Sequence, residues 1–383
     1  MSDGPLAKAL SPRSLSMTKQ EGWASSRYTP NDAQDSLQLV RAISGEAESA
    51  DSAFHNWQCD RSPAGAAIGA LMRKAETGRL IGQVVTIPVR IRLSGRVRFA
   101  SLSLDPLIDP AYQQGGVLAA LLGDVFTLSA KERAVLTYGL PSQASHWPVM
   151  ERAGFKNIGS LPLLLRPLNP ERLATKTAHG HPPAKAASIA RRVWRTAAPA
   201  VRPEALPGLE IAAVDYFDGS FAVFWEKVQH QFPVMVVRDP TYLNWRFVDV
   251  PGREYTAFAA RSEGEIRGFT VLRVAPLGQF SAGLIVDLVV EASAEGRAAG
   301  RLLIDRAYSH FRGQDLDLLA SLALRHTDEF RLLRSMGFWV CPKFLEPRPF
   351  RFFVRFHGEE GAQSRLAYDP TNWFLTMGDY EEG

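Results

Sequence analysis

The sequence predicts an α/β (α+β) protein built as two similar units, each a mixed, mostly antiparallel sheet flanked by helices. Three observations carry this. An ordered set of markers occurs twice: Asn56-Trp57, Pro63, Gly78 and Gly82, Asp105, Gly116 and Gly154-Phe155, then Asn244-Trp245, Pro251, Gly264 and Gly268, Asp287, Gly300 and Gly337-Phe338. Offsets between partners run 188, 188, 186, 182, 184 and 183, a drift of the kind loop insertions produce, and an internal repeat constrains architecture before any single motif is read. The length of 383 residues fits roughly two or three domains. The order of apolar patterns is also the same in both halves: strands, helix, strand, helix, strand.

Residues 1–26 are rich in small residues without periodicity and read as a mobile leader. The first unit is expected over 27–168. Asp32–Ile43 has helical apolar spacing behind an acidic start. Leu80–Leu104 alternates on both sides of Ser94-Gly95-Arg96, the pattern of two antiparallel strands and a turn. Val117–Leu128 reads as a helix after a glycine pair, Ala134–Leu140 as a strand, and Trp147–Ala153 as a short helix ended by Gly154. Phe155–Leu168 is expected to return as a strand pair, its last strand closing the unit.

Residues 169–206 form a linker holding five prolines, with seven cationic residues against two acidic ones up to position 205. Within it, Ala184–Ala197 is expected to be a short helix with Ile189, Val193 and Trp194 near one face, docked on a domain or in weak contact with an anionic membrane surface. The second unit, 207–357, repeats the order. Asp218–His230 is a helix, Tyr255–Val274 two strands around Gly264, and Leu284–Val290 a strand. Then come Gly300–Phe311 as helix, Leu316–Leu322 as strand, Glu329–Met336 as helix and Phe350–Phe356 as the closing strand. Residues 358–383 remain as a C-terminal tail.

Composition excludes several classes. The chain is 46% hydrophobic and 22% charged, ordinary for a globular protein. Its net charge of +4 is concentrated in the linker, so the two units are near neutral, which argues against a broad nucleic-acid-binding face. Cys59 and Cys341 provide neither a disulfide framework nor a metal spacing, and no His/Cys cluster implies a metal site. No apolar run approaches the ~18 residues of a membrane span, and no signal peptide is evident. A cytoplasmic protein is expected.

The stretch that carries chemistry is Leu102–Phe155. A strand leads through Asp105-Pro106-Leu107-Ile108 to Asp109-Pro110-Ala111-Tyr112, then Gln113-Gln114-Gly115-Gly116 and a helix from Val117-Leu118. A glycine turn opening a helix presents several backbone N–H groups in one direction, and those donors with the positive helix end suit a pyrophosphate. Glycine there removes a Cβ that would hold phosphate oxygens away.

This order of strand, Gln-x-x-Gly turn, helix, strand, short helix and Gly-Phe resembles the GNAT superfamily of acetyl-CoA-dependent N-acyltransferases. The resemblance covers about residues 27–168 and again 207–357, and is closest to bacterial tandem-domain members, often associated with cell-surface polysaccharide. The ending Asn372–Asp379 is similar to that group's. The resemblance implies acetyl-CoA or another acyl-CoA as co-substrate. Its pyrophosphate would lie on the amides of Gln113, Gln114, Gly115, Gly116, Val117 and Leu118, and its pantetheine beside Leu107, Ile108 and Ser142. It implies an amine acceptor, with an amino sugar of a surface precursor favoured, and direct transfer in a ternary complex.

Three positions depart from the family pattern: Leu118 replaces a small residue, Met150 stands where a thiolate-protonating tyrosine is common, and Ser142 where asparagine is common. The acid–base candidates are Asp105, on the strand beside the expected thioester, and His146, after the following strand. Asp105 is a base or, since Asp287 repeats it, a structural hydrogen-bonding residue. The Asn-Trp pairs read as repeated anchors, with Trp57 a possible wall of an acceptor groove. The second unit, with Arg297-x-x-Gly300-x-Leu302 as an outline of the turn, is a domain that has lost its cofactor, a second donor site or an acceptor-binding domain. Two rival classes stay open: an aminoacyl-tRNA-dependent transferase, and a scaffold of an envelope-biosynthesis complex.

Overall fold

The computed structural model describes residues 22–45, 50–113, 116–179, 207–343, 346–359 and 361–380. In chain order the first half holds β1 (Trp23–Arg27), α1 (Ala33–Ser44), α2 (Ser52–Asp60), β2 (Ile68–Lys74), β3 (Leu80–Leu93), β4 (Arg96–Ser103), β5 (Leu107–Ile108), α3 (Val117–Lys131), β6 (Leu136–Gly139), α4 (Trp147–Arg152), β7 (Lys156–Ser160), β8 (Leu163–Pro167) and α5 (Pro170–His179). The second half holds β9 (Leu209–Val214), α6 (Gly219–Val228), β10 (Val234–Val236), α7 (Pro240–Phe247), β11 (Thr256–Ser262), β12 (Glu265–Leu277), β13 (Phe280–Val290), α8 (Ala294–Phe311), β14 (Leu318–Leu322), α9 (Asp328–Ser335), β15 (Trp339–Val340), β16 (Arg351–Phe356), α10 (Ala362–Tyr368) and β17 (Trp373–Phe374).

Local chemistry explains the repeated glycines. Ser94 (φ +52°) and Gly95 (φ +80°) both take left-handed backbone, as a two-residue hairpin turn between β3 and β4 requires. Gly82 serves a different purpose. A Cβ there would come within 2.9 Å of Ile108 Cδ1 and 3.0 Å of Val117 Cγ1, so its absence lets α3 lie close on β3. Its counterpart Gly268 does the same beneath Leu303 of α8.

The strands form two sheets. The first runs β1-β2-β3-β4-β6-β16-β7, with β5 and β10 also on β3 and β17 on β10. The second runs β15-β8-β14-β13-β12-β11-β9. The first sheet therefore contains β10, β16 and β17 of the second half, and the second contains β8 of the first. The strand expected to close the first unit, β8, pairs with β14 and β15. The strand expected to close the second, β16, pairs with β6 and β7.

The physical reason lies in the link between β7 and β8, which is Leu161-Pro162. A two-residue hairpin needs positive φ at its turn, which proline cannot supply, and proline also keeps the preceding residue extended. The chain therefore runs straight on, Leu161 N–H donating to Phe350 O at 2.9 Å, and β8 enters the neighbouring sheet. The expected strand pair within 155–168 does not form.

The remaining departures lie at the edges of the units. Trp23–Arg27, inside the expected leader, is a strand on β2. Pro170–His179 of the linker is a helix, tied by Arg172 and Lys176 to the buried Asp317; Ala184–Ala197 lies outside the described residues. The tail supplies α10, β17 and a buried turn at Met377–Asp379.

One apolar cluster joins both units, including Phe54, Leu102, Leu140 and Leu163 from the first half and Phe217, Phe269, Phe350 and Trp373 from the second. At its centre the repeated tryptophans meet face to face, ring centroids 4.8 Å apart and 19° from parallel. Trp57 Nε1 donates to Trp245 O at 2.8 Å, and Trp245 Nε1 to Trp57 O at 3.4 Å. This reciprocity marks the pseudo-twofold axis. Trp57 is thus an interface anchor, not the wall of an acceptor groove.

Two outcomes follow. Trp57→Ala is expected to cost about 3–5 kcal/mol in denaturant unfolding. The N-terminal half (1–206) expressed alone, lacking β16, is expected not to unfold cooperatively, and to regain a cooperative transition when co-expressed with 207–383. A cooperative N-terminal half on its own would contradict the exchange as a requirement for folding.

Candidate functional site

In the first unit β4 and β6 are parallel neighbours over only two residue pairs, Ser101–Thr137 and Leu102–Tyr138, and then part. The parting coincides with a bulge. Ser103 pairs with Thr86 and Leu107 with Gln83, so the strand carrying Asp105 has one residue more than its partner over that interval. Bulges bend a strand and re-aim its side chains. The second unit has the same bulge, Asp287 pairing with Val271 and Ile285 with Leu272. Asp105 and Asp287 therefore stand at related positions where strands diverge.

α3 begins behind a left-handed glycine, and the first turn of a helix carries backbone N–H groups without intrahelical partners. Gly116 is the N-cap with φ +78°, and nothing lies within 4 Å of where its Cβ would be. Val117 and Leu118 are buried in the apolar cluster under α3, so the Leu118 side chain points into the core and leaves the helix end unobstructed. Ile108 is in the same cluster, and Leu107 packs under α1 and α2. Their side chains face apolar cores, which leaves backbone as the part of β5 able to meet a ligand. Gln113 is exposed; Gln114 and Gly115 lie outside the described residues.

The far wall is the segment after β6. Ser142 N–H donates to Asp105 Oδ1 at 3.1 Å, and its hydroxyl to Asp105 Oδ2. The half-buried Asp105 thus ties this segment to β4 across the gap. His146 follows, only 8% exposed, with Nδ1 buried and without a hydrogen-bond partner; the neighbouring Trp147 Nε1 is also buried and unpartnered. Burial lowers the His146 pKa below the ordinary histidine value, against a smaller upward pull from the Asp105 carboxylate. Met150 is buried against α3, away from any proton-transfer role. Orphaned polar nitrogens are rare in protein interiors, and two in adjacent residues at the end of parted strands fit a ligand with acceptor atoms.

The second unit is built differently at the equivalent place. Gly82 and Gly268 make equivalent contacts with Leu121 and Leu303. Val117 stands four residues before Leu121, but Ala294 nine before Leu303, so α8 extends further toward its N-terminus. Ser293 caps it by accepting from Gly296 N at 2.9 Å. Arg297-x-x-Gly300 is inside this helix and is not a turn, correcting the reading of the sequence. Glu329, at the marker offset from His146, is 3% exposed and accepts the Val290 N–H at 3.2 Å, the backbone counterpart of Ile108. Asp287 is buried under Arg238, 3.0 Å from its Nε, with Asp379 on the same guanidinium at 2.6 Å.

Comparison with solved structures agrees with this geometry. A probable N-acyltransferase of unknown function from Enterococcus faecalis V583 superposes with a TM-score of 0.61 at 13% identity, over 88% of this chain and 73% of that one. Saccharomyces cerevisiae N-myristoyltransferase with bound myristoyl-CoA gives 0.60 at 14%, over 94% and 88%. A tandem GNAT protein from the clavulanic acid biosynthesis pathway gives 0.54 at 14%, over 88% and 100%. The chain has a tandem GNAT fold. No protein-family model and no curated protein matches the sequence significantly. Within the GNAT framework strands part in both units, and the glycine-capped helix belongs to the first; in the second, α8 starts earlier behind Ser293 and the Val290 N–H is taken by Glu329. Among the described residues no helix is long and apolar enough to cross a membrane.

Sequence reasoning did not find Arg351, which reaches the first GNAT unit on the exchanged strand and places its guanidinium 4.6 Å from the Trp147 ring centroid. The alternation in Arg351-Phe352-Phe353-Val354-Arg355 was a signal that one strand face ends in charge.

Glu329 makes the difference between the units measurable. Burial pushes its carboxyl up to about 7 from 4.5. The folded state therefore holds a proton that the unfolded chain releases, and stability falls as pH rises from about 4.5 to 7, with the loss complete above 7. Glu329→Gln, which keeps an acceptor for Val290, is expected to be more stable than the wild type by about 3 kcal/mol at pH 8 and about equal at pH 4. Denaturant titrations at the two pH values check this.

Proposed function

We propose that the protein is an acyl-CoA-dependent N-acyltransferase that moves an acyl group directly to an amine in a ternary complex. The observation that carries it is the pair of unpartnered nitrogens, His146 Nδ1 and Trp147 Nε1, at the end of strands that part beside a glycine-capped helix. The fold shared with N-acyltransferases, one of them holding myristoyl-CoA, supports it. The acceptor class favoured by the sequence resemblance is an amino sugar of a cell-surface precursor.

The residues fit an acyl-CoA. The Gly116–Leu118 amides at the start of α3 would hold the pyrophosphate, and the backbone of Leu107 and Ile108, with Ser142, would line the pantetheine. The thioester supplies an acyl carbon with a thiolate as leaving group. For the amine to attack it must lose its proton. His146 is kept neutral by burial, so its imidazole can accept that proton, and the Asp105 carboxylate stabilises the resulting cation. Ser142 fixes the Asp105 carboxylate by two hydrogen bonds, which makes Asp105 a positioning and electrostatic residue, not the base the sequence allowed. Cys59 and Cys341 are buried with thiols pushed up to about 12, which removes a covalent acyl-enzyme route through either.

Calorimetry with acetyl-CoA tests the donor: one site per chain is expected, lost in Gly116→Asp, and no heat at millimolar ligand would refute the reading. For the reaction, His146→Ala is expected to lower kcat by about 10²–10⁴-fold with donor affinity kept. The rate should fall on acidification as His146 takes up a proton, at a pH below the ordinary histidine value near 6.5. Asp105→Asn, by removing the upward pull, should move that acid limb lower still. An unchanged profile in both variants would remove His146 from the mechanism.

A further inference from the structure

The exchanged strand brings a cation to the first unit's site, and its position is set by register. Phe353 pairs with Gly139 on β6. Continuing that antiparallel ladder by two residues puts Arg351 beside position 141, one residue short of Ser142 and at the level where β6 has parted from β4. Arg351, Phe353 and Arg355 share a strand face, the one covered by α3 and α4: Phe353 packs on Trp147 and Phe155, and Arg355 lies over Phe126. Arg351 is exposed and stacks on Trp147, the residue whose Nε1 is buried without a partner. Among the described residues it has no carboxylate partner. On α4 the sole acidic residue, Glu151, is offset by Arg152, and Arg355 adds charge of the same sign.

We propose that Arg351 on its Trp147 platform binds the ribose 3′-phosphate of the donor, so that the site selects a coenzyme A thioester over the same acyl group on a carrier protein's phosphopantetheine. This rests on the donor reading above. The α3 helix end accounts for the pyrophosphate, which leaves the ribose phosphate as the anionic group for a second cation. Stacking on an indole orients the guanidinium while leaving its edge N–H groups free, and that fork matches a phosphate bidentately. Phosphopantetheine carries no ribose phosphate and would forgo this contact. The second half of the chain thereby completes a ligand site in the first.

Binding of coenzyme A, 3′-dephospho-coenzyme A and 4′-phosphopantetheine to the full chain separates the claims. The wild type is expected to prefer coenzyme A over the dephospho form by about tenfold or more. Arg351→Ala should abolish that preference and leave the affinities for the other two ligands unchanged. Arg351→Gln, which keeps stem packing on Trp147, should behave the same, and thermal melts of both establish that they fold. If wild-type preference survives in both variants, or if all three affinities fall together, the subsite is overturned while the donor reading stands. If the wild type binds none of the three, both fall.

Discussion

Leu161-Pro162 joins β7 to β8 with two residues; the proline cannot adopt the left-handed backbone of a tight hairpin and biases the leucine before it to extended backbone. The strand beyond it has buried leucines at 163, 164 and 165, so it must find a sheet, and the sheet ahead of it is the other unit's. Once β8 is committed there, the first sheet has a gap between β6 and β7 that β16 fills. The two units then cannot separate without each losing an interior strand, and the paired indoles of Trp57 and Trp245 are held at the axis with their reciprocal hydrogen bonds. Every later property of the molecule, including which half supplies which wall of the site, depends on this interlocking.

The same geometry explains how one repeated carboxylate came to have two fates. Asp105 and Asp287 both stand at the bulge where strands part. In the second unit the C-terminal turn lies against the gap: Thr376 donates to Asp287 at 3.0 Å, and a Cβ on Gly378 would come within 3.5 Å of the Asp287 carboxyl carbon. Arg238, 1% exposed, neutralises Asp287 and Asp379 together, while burial raises the pKa of Asp379 against the pull of that guanidinium. A buried charge set of this kind is stable only while every partner is present, so it locks the gap. In the first unit Asp105 faces Ser142 and His146 and stays half-buried, with no cation upon it in the described ion pairs.

Much of the fold was legible because local rules are strong. The hairpin at Ser94-Gly95, the helix behind Gly116 and the short helix ended by Gly154 follow from turn chemistry and periodicity. The strand exchange was not legible, since an apolar strand declares that both its faces are covered without declaring by which sheet. The Arg297-x-x-Gly300 pattern misled for a local reason: Ser293 is a better N-cap than anything at 296–300, so the helix starts early and swallows the motif. At the site, Gly116, Ser142, Asp105 and His146 were legible as candidates by position. The hydrogen bonding of Ser142 to Asp105 was not, because a contact between residues 37 apart requires the strands to part by a particular distance.

Position 146 of the first unit and position 329 of the second differ in how their polar atoms are satisfied. Glu329 satisfies its own oxygen on the Val290 amide and so uses up the strand backbone that the first unit leaves available at Ile108. His146, at the matching offset, has no such internal partner. The second copy thus satisfies this carboxylate on its own strand backbone. It contributes to the open copy by lending β16, whose apolar face completes the shared core and whose opposite face carries Phe353 and Arg351 to Trp147. Loss of the second unit would remove β16 from the interior of the first sheet, and with it Phe353 and Arg351 that pack on Trp147.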